Sequence, residues 1–305
     1  KVEQEILYKA VEAYTGLIFT NKKLKINQSN ISLLDRQVDT DQARLERGQI
    51  TISDLAQSES SLAGAKAKFI EAKNDTMTSR LVYENVIGPI INSDDLNENS
   101  KLNIEIPKNL NEANDISRKR NPKLIIAKLE YLQSEKDIRI AESDMLPSAS
   151  LSFEASQTED LSSTYNERDK KILKATVKWP FYTGGKNKAE VNKNRNIKYQ
   201  KKLLLDNVIN TNNTDVASAW SNFQSSKSLL DSVKSQVKAA EIANEGITVE
   251  YESGLGRSTL DVIQSNSLLL DSKISLANSE RNYLLSQFKL LQSIGLLTLE
   301  YLQIN

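Results

Sequence analysis

Apolar residues recur along most of the chain at steps of three, four or seven, which is the spacing of one face of an α-helix. The pattern covers residues 2–47, 53–88 and 110–145. Gly48 interrupts it after the first segment, and Ser53 is the kind of residue that caps the start of a helix. We therefore predict a long helical hairpin over residues 1–89, followed by a connector and a third helix over residues 90–145.

Residues 146–185 follow a different pattern, because apolar and polar residues alternate there with a period of two. The alternation runs over residues 148–157, stops in a polar segment at residues 158–169, and resumes over residues 172–181. This predicts two strands of one hairpin with an apolar and a polar face, as in the strands of a transmembrane β-barrel. The residues predicted to face the membrane are Leu151, Phe153, Val177, Trp179 and Phe181.

A soluble hairpin lying on a hydrophobic core would show the same alternation, and it is the alternative interpretation. The surroundings favour the membrane interpretation, because the rest of the sequence has no strand-rich segment against which the hairpin could pack. A lone two-stranded hairpin is marginally stable in water. We therefore expect the hairpin to pair with copies of itself.

Residues 186–296 have the pattern of a second and longer helical hairpin. A helix of roughly 68 residues, or about 100 Å at 1.5 Å per residue, is predicted to reach Ser253, and Gly254 then breaks the pattern. The return helix begins near Ser258 and carries Leu260 and Leu270 on its apolar stripe. The seven-residue spacing of both stripes predicts coiled-coil packing, and residues 297–305 form a C-terminal segment.

The two helical hairpins read as copies of one another. A shift of 206 positions carries Gly48 onto Gly254, and beyond the turn a shift of 207 carries Asp54 onto Asp261. The fold class expected is thus mainly α with a small β part and a two-fold internal repeat. The strands that would match residues 146–185 fall upstream of Lys1, so we expect an N-terminally truncated chain. The native gene should encode on the order of 100 further residues plus a signal peptide.

Composition narrows the possible functions. Forty basic and forty acidic residues cancel, and no long run of like charge provides a local field for nucleic acid. Without cysteine or histidine, no zinc site, nucleophilic triad or cofactor is predicted, and an enzyme is the least favoured class. The apolar content of 39% and aromatic content of 6% are low for a globular core of 305 residues, which indicates an elongated or hollow molecule.

Several motifs, taken in order, resemble the TolC-like outer-membrane efflux proteins. They are ARLERGQITISDLAQS at residues 43–58, NEA and NP within residues 110–122, Leu146-Pro147 before the first strand, WPFYTGG at residues 179–185 and VEYESGLGRSTLDVIQ at residues 249–264. The resemblance implies a homotrimer in which each protomer contributes four strands to a twelve-stranded barrel in the outer membrane of a Gram-negative bacterium. It also implies a tunnel of helices, an α-barrel, that crosses the periplasm and closes at its helix turns.

The resemblance further implies a passive exit duct, partnered by a periplasmic adaptor and an inner-membrane pump, for small molecules or proteins. The form GRSTLDV at the second turn favours members that serve type I secretion as well as drug efflux. The alternative function is a structural coiled-coil scaffold or a periplasmic adaptor-like hairpin protein. The strand hairpin discriminates between the two, because a scaffold has no use for a lipid-compatible face.

Tyr251 and Arg257 match, by position, family residues that bind the inner helical hairpin to its neighbours. The inner hairpin is here the one over residues 186–296, and the matching partners are Ser53 and Asp54. Such charge-assisted bonds hold a closed state and are still breakable. Asp261 matches a constriction carboxylate, while Gln264 stands where many members carry a second acidic residue. The alternative for Asp261 is a carboxylate at a helix N-terminus, capped by Ser258 or Thr259.

The two turns are also the positions at which family members contact the periplasmic adaptor. The predicted docking residues are Gly48, Gln49, Gly254 and Leu255. The second turn is close to the family's sequence, whereas the first departs from it. A purely structural role for the two glycines, which let the chain reverse between helices, is the alternative.

Overall fold

A computed structural model describes residues 1–90, 96, 105–162 and 165–302. The elements are α1 (Val2–Glu46), α2 (Ile52–Val86), α3 (Leu110–Arg120), α4 (Pro122–Ser143), β1 (Ser148–Ser162), β2 (Tyr165–Lys178), α5 (Lys186–Glu252) and α6 (Thr259–Ile294). They form two compact units, of which one comprises Lys1–Pro122 with Asn212–Asn305 and the other comprises Lys123–Thr211. Most of the predicted connector and residues 303–305 lie outside the described residues. Within the described ranges, no helix is both long and apolar enough to cross a membrane.

Helices α1 and α2 form the predicted hairpin, with apolar stripes that face each other. Leu34 of α1 packs against Leu62 and Ala65 of α2, and Ile31 and Val38 flank this cluster. The apolar stripe of α2 is buried over only part of the helix. Met77 and Leu81 belong to the apolar pattern of the sequence, yet their side chains are 66% and 58% exposed.

The main core of the first unit lies where α6 meets α3 and the adjoining part of α5. Phe288, Leu291 and Ile294 of α6 are fully buried there, together with Val216 of α5 and Ala113 of α3. The stripe on α6 is therefore confirmed over its second half. At its start the prediction was wrong for Leu260.

Leu260 is exposed because the first turn of α6 presents a different side to the hairpin. Thr259 and Val262 are buried instead. These residues lie three positions apart and so share one face of the helix.

The prediction of a single helix over residues 110–145 was wrong, because the chain divides there into α3 and α4 at Asn121. The residue before a proline avoids the helical conformation, and Asn121 accordingly has a ψ of 118° ahead of Pro122. Its side-chain amide donates to the Asn212 Oδ1 atom at 2.7 Å and to the Ser293 carbonyl at 2.8 Å. The break thus ties the end of α3 to α5 and α6.

Strands β1 and β2 pair antiparallel within the second unit, with Leu151 opposite Ala175 and Phe153 opposite Leu173. Both strands extend into the polar segment that was predicted to separate them, because backbone pairing does not require apolar side chains. Strand β2 ends earlier than predicted, so Trp179 and Phe181 lie beyond it. Pro180 lacks an N–H group and cannot continue the ladder.

In the second unit, α4 and the first part of α5 are joined by charged pairs on their surfaces. Lys198 Nζ lies 2.8 Å from a Glu135 carboxylate oxygen, and Lys201 Nζ lies 2.9 Å from one of Glu130. Each pair is partly exposed, so each adds little to stability. The hydrogen bond from Lys198 lowers the pKa of Glu135.

Gly295 provides a test of the core. It ends α6 with a φ of 83°, and a Cβ atom there would lie 2.5 Å from the Arg120 carbonyl oxygen. Gly295→Ala should therefore lower the free energy of unfolding by about 2 kcal/mol or more. Gly64→Ala is the control, because a Cβ at this helical position meets nothing and should stabilise slightly. The measurement is the thermal midpoint of each variant. Equal losses of stability in the two variants would contradict the prediction.

Candidate functional site at the helix turns

Both turns reverse the chain with a glycine in the left-handed conformation. Gly48 has a φ of 70° and Gly254 a φ of 73°. In each turn the next residue donates its N–H back to the last helical turn, Gln49 to the Arg44 carbonyl and Leu255 to the Glu250 carbonyl, both at 2.9 Å. This pattern satisfies carbonyls at a helix end that would otherwise lack partners.

A capping box begins the helix that follows each turn. The Thr51 side chain accepts from the Asp54 N–H, and the Asp54 carboxylate accepts from the Thr51 N–H at 2.9 Å. Ser258 and Asp261 make the same pair of bonds at the start of α6. The predicted cap Ser53 was wrong, because a capping box requires partners three residues apart.

The capping hydrogen bonds change the pKa of both aspartates. Hydrogen bonds from the backbone and side chain of Thr51 lower the pKa of Asp54, and those from Ser258 lower the pKa of Asp261. Both carboxylates are therefore ionised at neutral pH. The alternative interpretation of Asp261, as a helix N-terminal carboxylate with Ser258 as cap, is confirmed as its local structural role.

A buried carboxylate, Asp41, joins the two helical hairpins. The Tyr251 hydroxyl donates to Asp41 Oδ1 at 2.6 Å, and the Ser58 hydroxyl donates to Asp41 Oδ2 at 2.5 Å. The Gln37 side-chain amide adds a third bond at 2.9 Å. The Tyr251 hydroxyl also lies 3.0 Å from Thr259 Oγ1. Residues from α1, α2 and α5 thus meet at one carboxylate, and Thr259 of α6 contacts it indirectly through Tyr251.

Arg44 reinforces this cluster from the side. Its guanidinium carbon lies 4.1 Å from the centre of the Tyr251 ring, within cation–π range. It also donates to the carbonyls of Tyr251 and Glu252 at 3.2 and 3.4 Å. A cation at the C-terminal end of α5 is favourable because the helix dipole is negative there.

Burial and the bond to Asp41 raise the pKa of Tyr251, so its hydroxyl keeps its proton and acts as a donor. We name the set formed by Asp41, Ser58, Tyr251 and Thr259 the tip cluster. All its members are buried. The tip cluster is therefore shielded from water, and the Tyr251 and Ser58 hydroxyls both donate to its one charge.

The predicted gate residues are not all brought together within the chain. Tyr251 joins Asp41 instead of Ser53 or Asp54. Arg257 donates to a Glu250 carboxylate oxygen at 2.6 Å, and this bond raises the pKa of Arg257. Ser53 and Gln264 are exposed.

Asp41 and Ser58 were missed by the sequence reasoning, although a signal was present. Asp41 lies seven residues after Leu34 and four before Leu45, so it occupies a position of the apolar stripe on α1. Ser58 lies between Leu55 and Leu62 on the stripe of α2. A charged residue on a buried stripe needs partners, and a serine on the facing stripe is one.

The predicted docking residues Gly48, Gln49, Gly254 and Leu255 are exposed at the two turns. Apolar side chains are exposed beside them, since Leu255 is 71% and Ile52 is 75% accessible. No group of three or more acidic residues suited to a metal ion occurs in the part of the chain that the structure describes.

Residues 115–296 match the outer membrane efflux protein family, and this match covers more than half of the chain. The chain therefore belongs to this family, and the resemblance inferred from its motifs is confirmed. Family membership places the chain among TolC-like proteins of the outer membrane.

Similar proteins include outer membrane efflux protein BepC of Brucella suis, which is 26% identical over 98% of this chain and 65% of its own length. Outer membrane protein TolC of Escherichia coli is 23% identical over 97% of the chain and 62% of its own length. Alkaline protease secretion protein AprF of Pseudomonas aeruginosa is 21% identical over 96% and 62%. The chain thus spans less than two thirds of the length of these relatives.

The fold is similar to that of solved membrane proteins. The crystal structure of a membrane protein from Pseudomonas aeruginosa superposes with a TM-score of 0.79 at 14% identity, over 96% of this chain and 68% of that one. The mainly helical architecture with a small sheet is therefore the fold of this class.

The capping boxes should make the turns sensitive to acid. Folding lowers the pKa of each capping aspartate below its ordinary value of 3.8. Each ionised carboxylate therefore stabilises the start of its helix at pH values above 3.8. That contribution is lost as pH falls through the folded value. The thermal midpoint of the chain should exceed that of an Asp54→Asn/Asp261→Asn variant by a constant amount above about pH 5, and the gap should close below 3.8.

The control for this titration is Asp231→Asn, which alters an exposed carboxylate in the middle of α5. It should show no such closing gap. A gap that is absent at neutral pH for the double variant would contradict the capping role.

Proposed function

We propose that the protein containing this chain is a trimeric exit duct of the outer membrane, which releases small molecules or proteins in concert with a periplasmic adaptor and an inner-membrane pump. The observation that carries the proposal is the strand hairpin of a chain that belongs to the outer membrane efflux family. Leu151, Phe153 and Val177 on its apolar face are 71%, 68% and 73% exposed. Water disfavours such a face, and lipid accepts it.

The hairpin requires further strands. Open strand edges are not tolerated in a bilayer, because their backbone groups would have no hydrogen-bond partners. Among the described residues, the sheet has two strands, β1 and β2. We therefore assign closure of a twelve-stranded barrel to strands outside this chain and to two further protomers.

The helices support the same assembly. Helix α2 buries Leu62 and Ala65 against α1 and leaves Ile70 and Met77, seven residues apart, exposed. A helix with apolar residues both buried and exposed in this way has surface for a further neighbour. This is the requirement of a helix in the wall of an α-barrel.

The proposal includes a two-fold internal repeat of the helical hairpins. The capping pair Thr51 and Asp54 and the capping pair Ser258 and Asp261 are separated by the offset of 207 found in the sequence. Similar turns at the ends of both hairpins are what duplicated halves would produce. The exposed apolar tips, including Leu255, suit contact with a helical hairpin of the adaptor.

We assign gating to the helix turns. The tip cluster holds the α5–α6 hairpin to the α1–α2 hairpin inside one protomer through Asp41 and Tyr251. Arg257, Ser53 and Asp54 are accessible for contacts with a neighbouring protomer, and Asp261 and Gln264 line the constriction. Opening then requires that the bond between Tyr251 and Asp41 breaks.

Cargo is proposed from the relatives' names alone. AprF is named for the secretion of an alkaline protease and BepC for efflux, and this chain is similar to both. Export of proteins and of small molecules are therefore both within the proposal.

The decisive test is made on the full-length gene product. It should fractionate with the outer membrane, have the mass of a trimer in detergent, and form channels in planar bilayers. A stable monomer, or a protein that needs no detergent for extraction, would overturn the proposal.

The gate is tested by removing the bond between the two hairpins. Asp41→Asn/Tyr251→Phe eliminates a charge-assisted hydrogen bond without opening a cavity, and the closed state should lose about 1.5–3 kcal/mol. Mean conductance in planar bilayers should rise. Tyr251→Phe/Arg257→Ser should also raise it, because this variant too removes the bond from Tyr251 to Asp41.

The control for the gate is Tyr283→Phe, which removes a hydroxyl from a ring stacked on Phe223, away from the turns. It should conduct like the wild type. Unchanged conductance in a trimeric Asp41→Asn/Tyr251→Phe variant would refute the role of the tip cluster in closure.

The carboxylate ring is tested with multivalent cations. Three copies of Asp261 around a narrow pore should bind such ions, so Asp261→Asn should weaken their block by about tenfold. Asp54→Asn is a matched control, because Asp54 plays the same capping role at the other turn. Equal effects of the two variants would show that the loss came from the cap and not from a ring.

A further inference from the structure

The polar face of the strand hairpin carries a regular series of lysines. The pairing of β1 with β2 sets Lys170 opposite Ser156, Lys174 opposite Ser152, and Lys178 opposite Ser148. Lysines four residues apart on a strand point to the same side and lie about 13 Å apart along it. We call Lys170, Lys174 and Lys178 the lysine column.

The opposite face of the same ladder is apolar. Ala149 pairs with Val177, Leu151 with Ala175, and Phe153 with Leu173. Because side chains alternate between the two faces, lipid contact on this side turns the lysine column to the other side. In a closed barrel that other side is the lumen, so the inference rests on the proposed function.

The column has little opposing charge on its own face. Over residues 148–156 and 170–178, the acidic residue on this face is Glu154, which pairs with Ile172. The column lysines are exposed, and none forms an ion pair with another residue that the structure describes. Serine and threonine hydroxyls fill the remaining positions, and they do not neutralise a charge.

We infer that Lys170, Lys174 and Lys178 form a cationic wall of the exit lumen that selects for anions, either small anionic solutes or acidic stretches of an exported protein. In a trimer, each of the three lysines occurs three times around the lumen. The ammonium groups would thus form three rings at different heights. Rings of lysine attract anions and repel cations in a pore whose walls have a low dielectric constant. The outer end of the duct therefore differs in sign from the acidic constriction assigned to Asp261.

Lys171 provides a matched comparison. It neighbours Lys170 but pairs with Ala155, so it lies at nearly the same height on the apolar face. Lys170→Gln and Lys171→Gln remove the same charge at the same level, on opposite sides of the sheet. A difference between the two variants therefore reports the face and not the net charge.

The experiment measures the reversal potential of full-length trimers in planar bilayers across a tenfold gradient of KCl. Lys170→Gln/Lys174→Gln/Lys178→Gln should lower the chloride-to-potassium permeability ratio by about twofold or more, and Lys174→Arg should retain the wild-type ratio. Lys170→Gln alone should shift the potential, while Lys171→Gln should not.

A second measurement does not depend on the triple variant. The 305 residues contain no cysteine, so Lys174→Cys and Leu173→Cys introduce thiols that alternate between the faces. A water-soluble anionic thiol reagent should label the Lys174→Cys variant from the lumen and block current. It should leave the Leu173→Cys variant unlabelled.

Each outcome has a defined meaning. Channels whose selectivity is unchanged in the triple variant, or is shifted equally by Lys170→Gln and Lys171→Gln, overturn the lysine column but leave the duct intact. Labelling of Leu173→Cys in preference to Lys174→Cys overturns the assignment of the faces. A wild-type protein that forms no channels overturns the proposed function itself, and the inference with it.

Discussion

Several elements of this chain have more apolar surface than the described residues cover, and the architecture depends on that excess. Helix α2 buries one stripe against α1 and leaves Ile70 and Met77 exposed, while α4 exposes Ile125 and Leu129. The β hairpin has no covering layer over Leu151 and Phe153 among the described residues. Apolar faces of this extent mark surfaces that meet lipid or other protein.

The tip cluster joins the two helical hairpins through polar contacts and not through an apolar one. An apolar contact between hairpins would be comparably stable, but it would specify no single geometry and would resist separation without a defined step. Asp41 accepts bonds from Tyr251, Ser58 and Gln37, so its charge is satisfied only when the hairpins lie in one arrangement. A buried carboxylate that loses a partner is costly, so these bonds favour one arrangement of the hairpins.

Net neutrality hides an uneven distribution of charge. Acidic residues equal basic residues in number, yet the capping boxes fix Asp54 and Asp261 at helix starts, and the strand pleat collects Lys170, Lys174 and Lys178 on one face. Each placement follows from a local rule, the three-residue spacing of a cap or the two-residue period of a strand. Such local rules produce regions of opposite sign in a chain with no net charge.

The sequence by itself determined the features that depend on a few neighbouring residues. The sequence predicted the helical hairpins, the turns at Gly48 and Gly254 and the alternating faces of the strands, because periodicity and turn chemistry act over short spans. The family motifs are themselves short stretches of sequence. Even two errors had local signals, since the Thr51 and Asp54 spacing marks the cap and Pro122 marks the helix break. The length of the strands did not, because side-chain alternation fades before backbone pairing ends.

Only the tertiary structure decided which residues meet at the helix turns. Asp41 and Tyr251 are 210 positions apart, and their contact depends on how the stripes of four helices fit together. The sequence pattern placed Tyr251 near the second turn but could not choose among Asp41, Ser53 and Asp54 as its partner. That choice follows from helix packing, which turned Asp41 inward on the stripe of α1 and left Asp54 to cap α2.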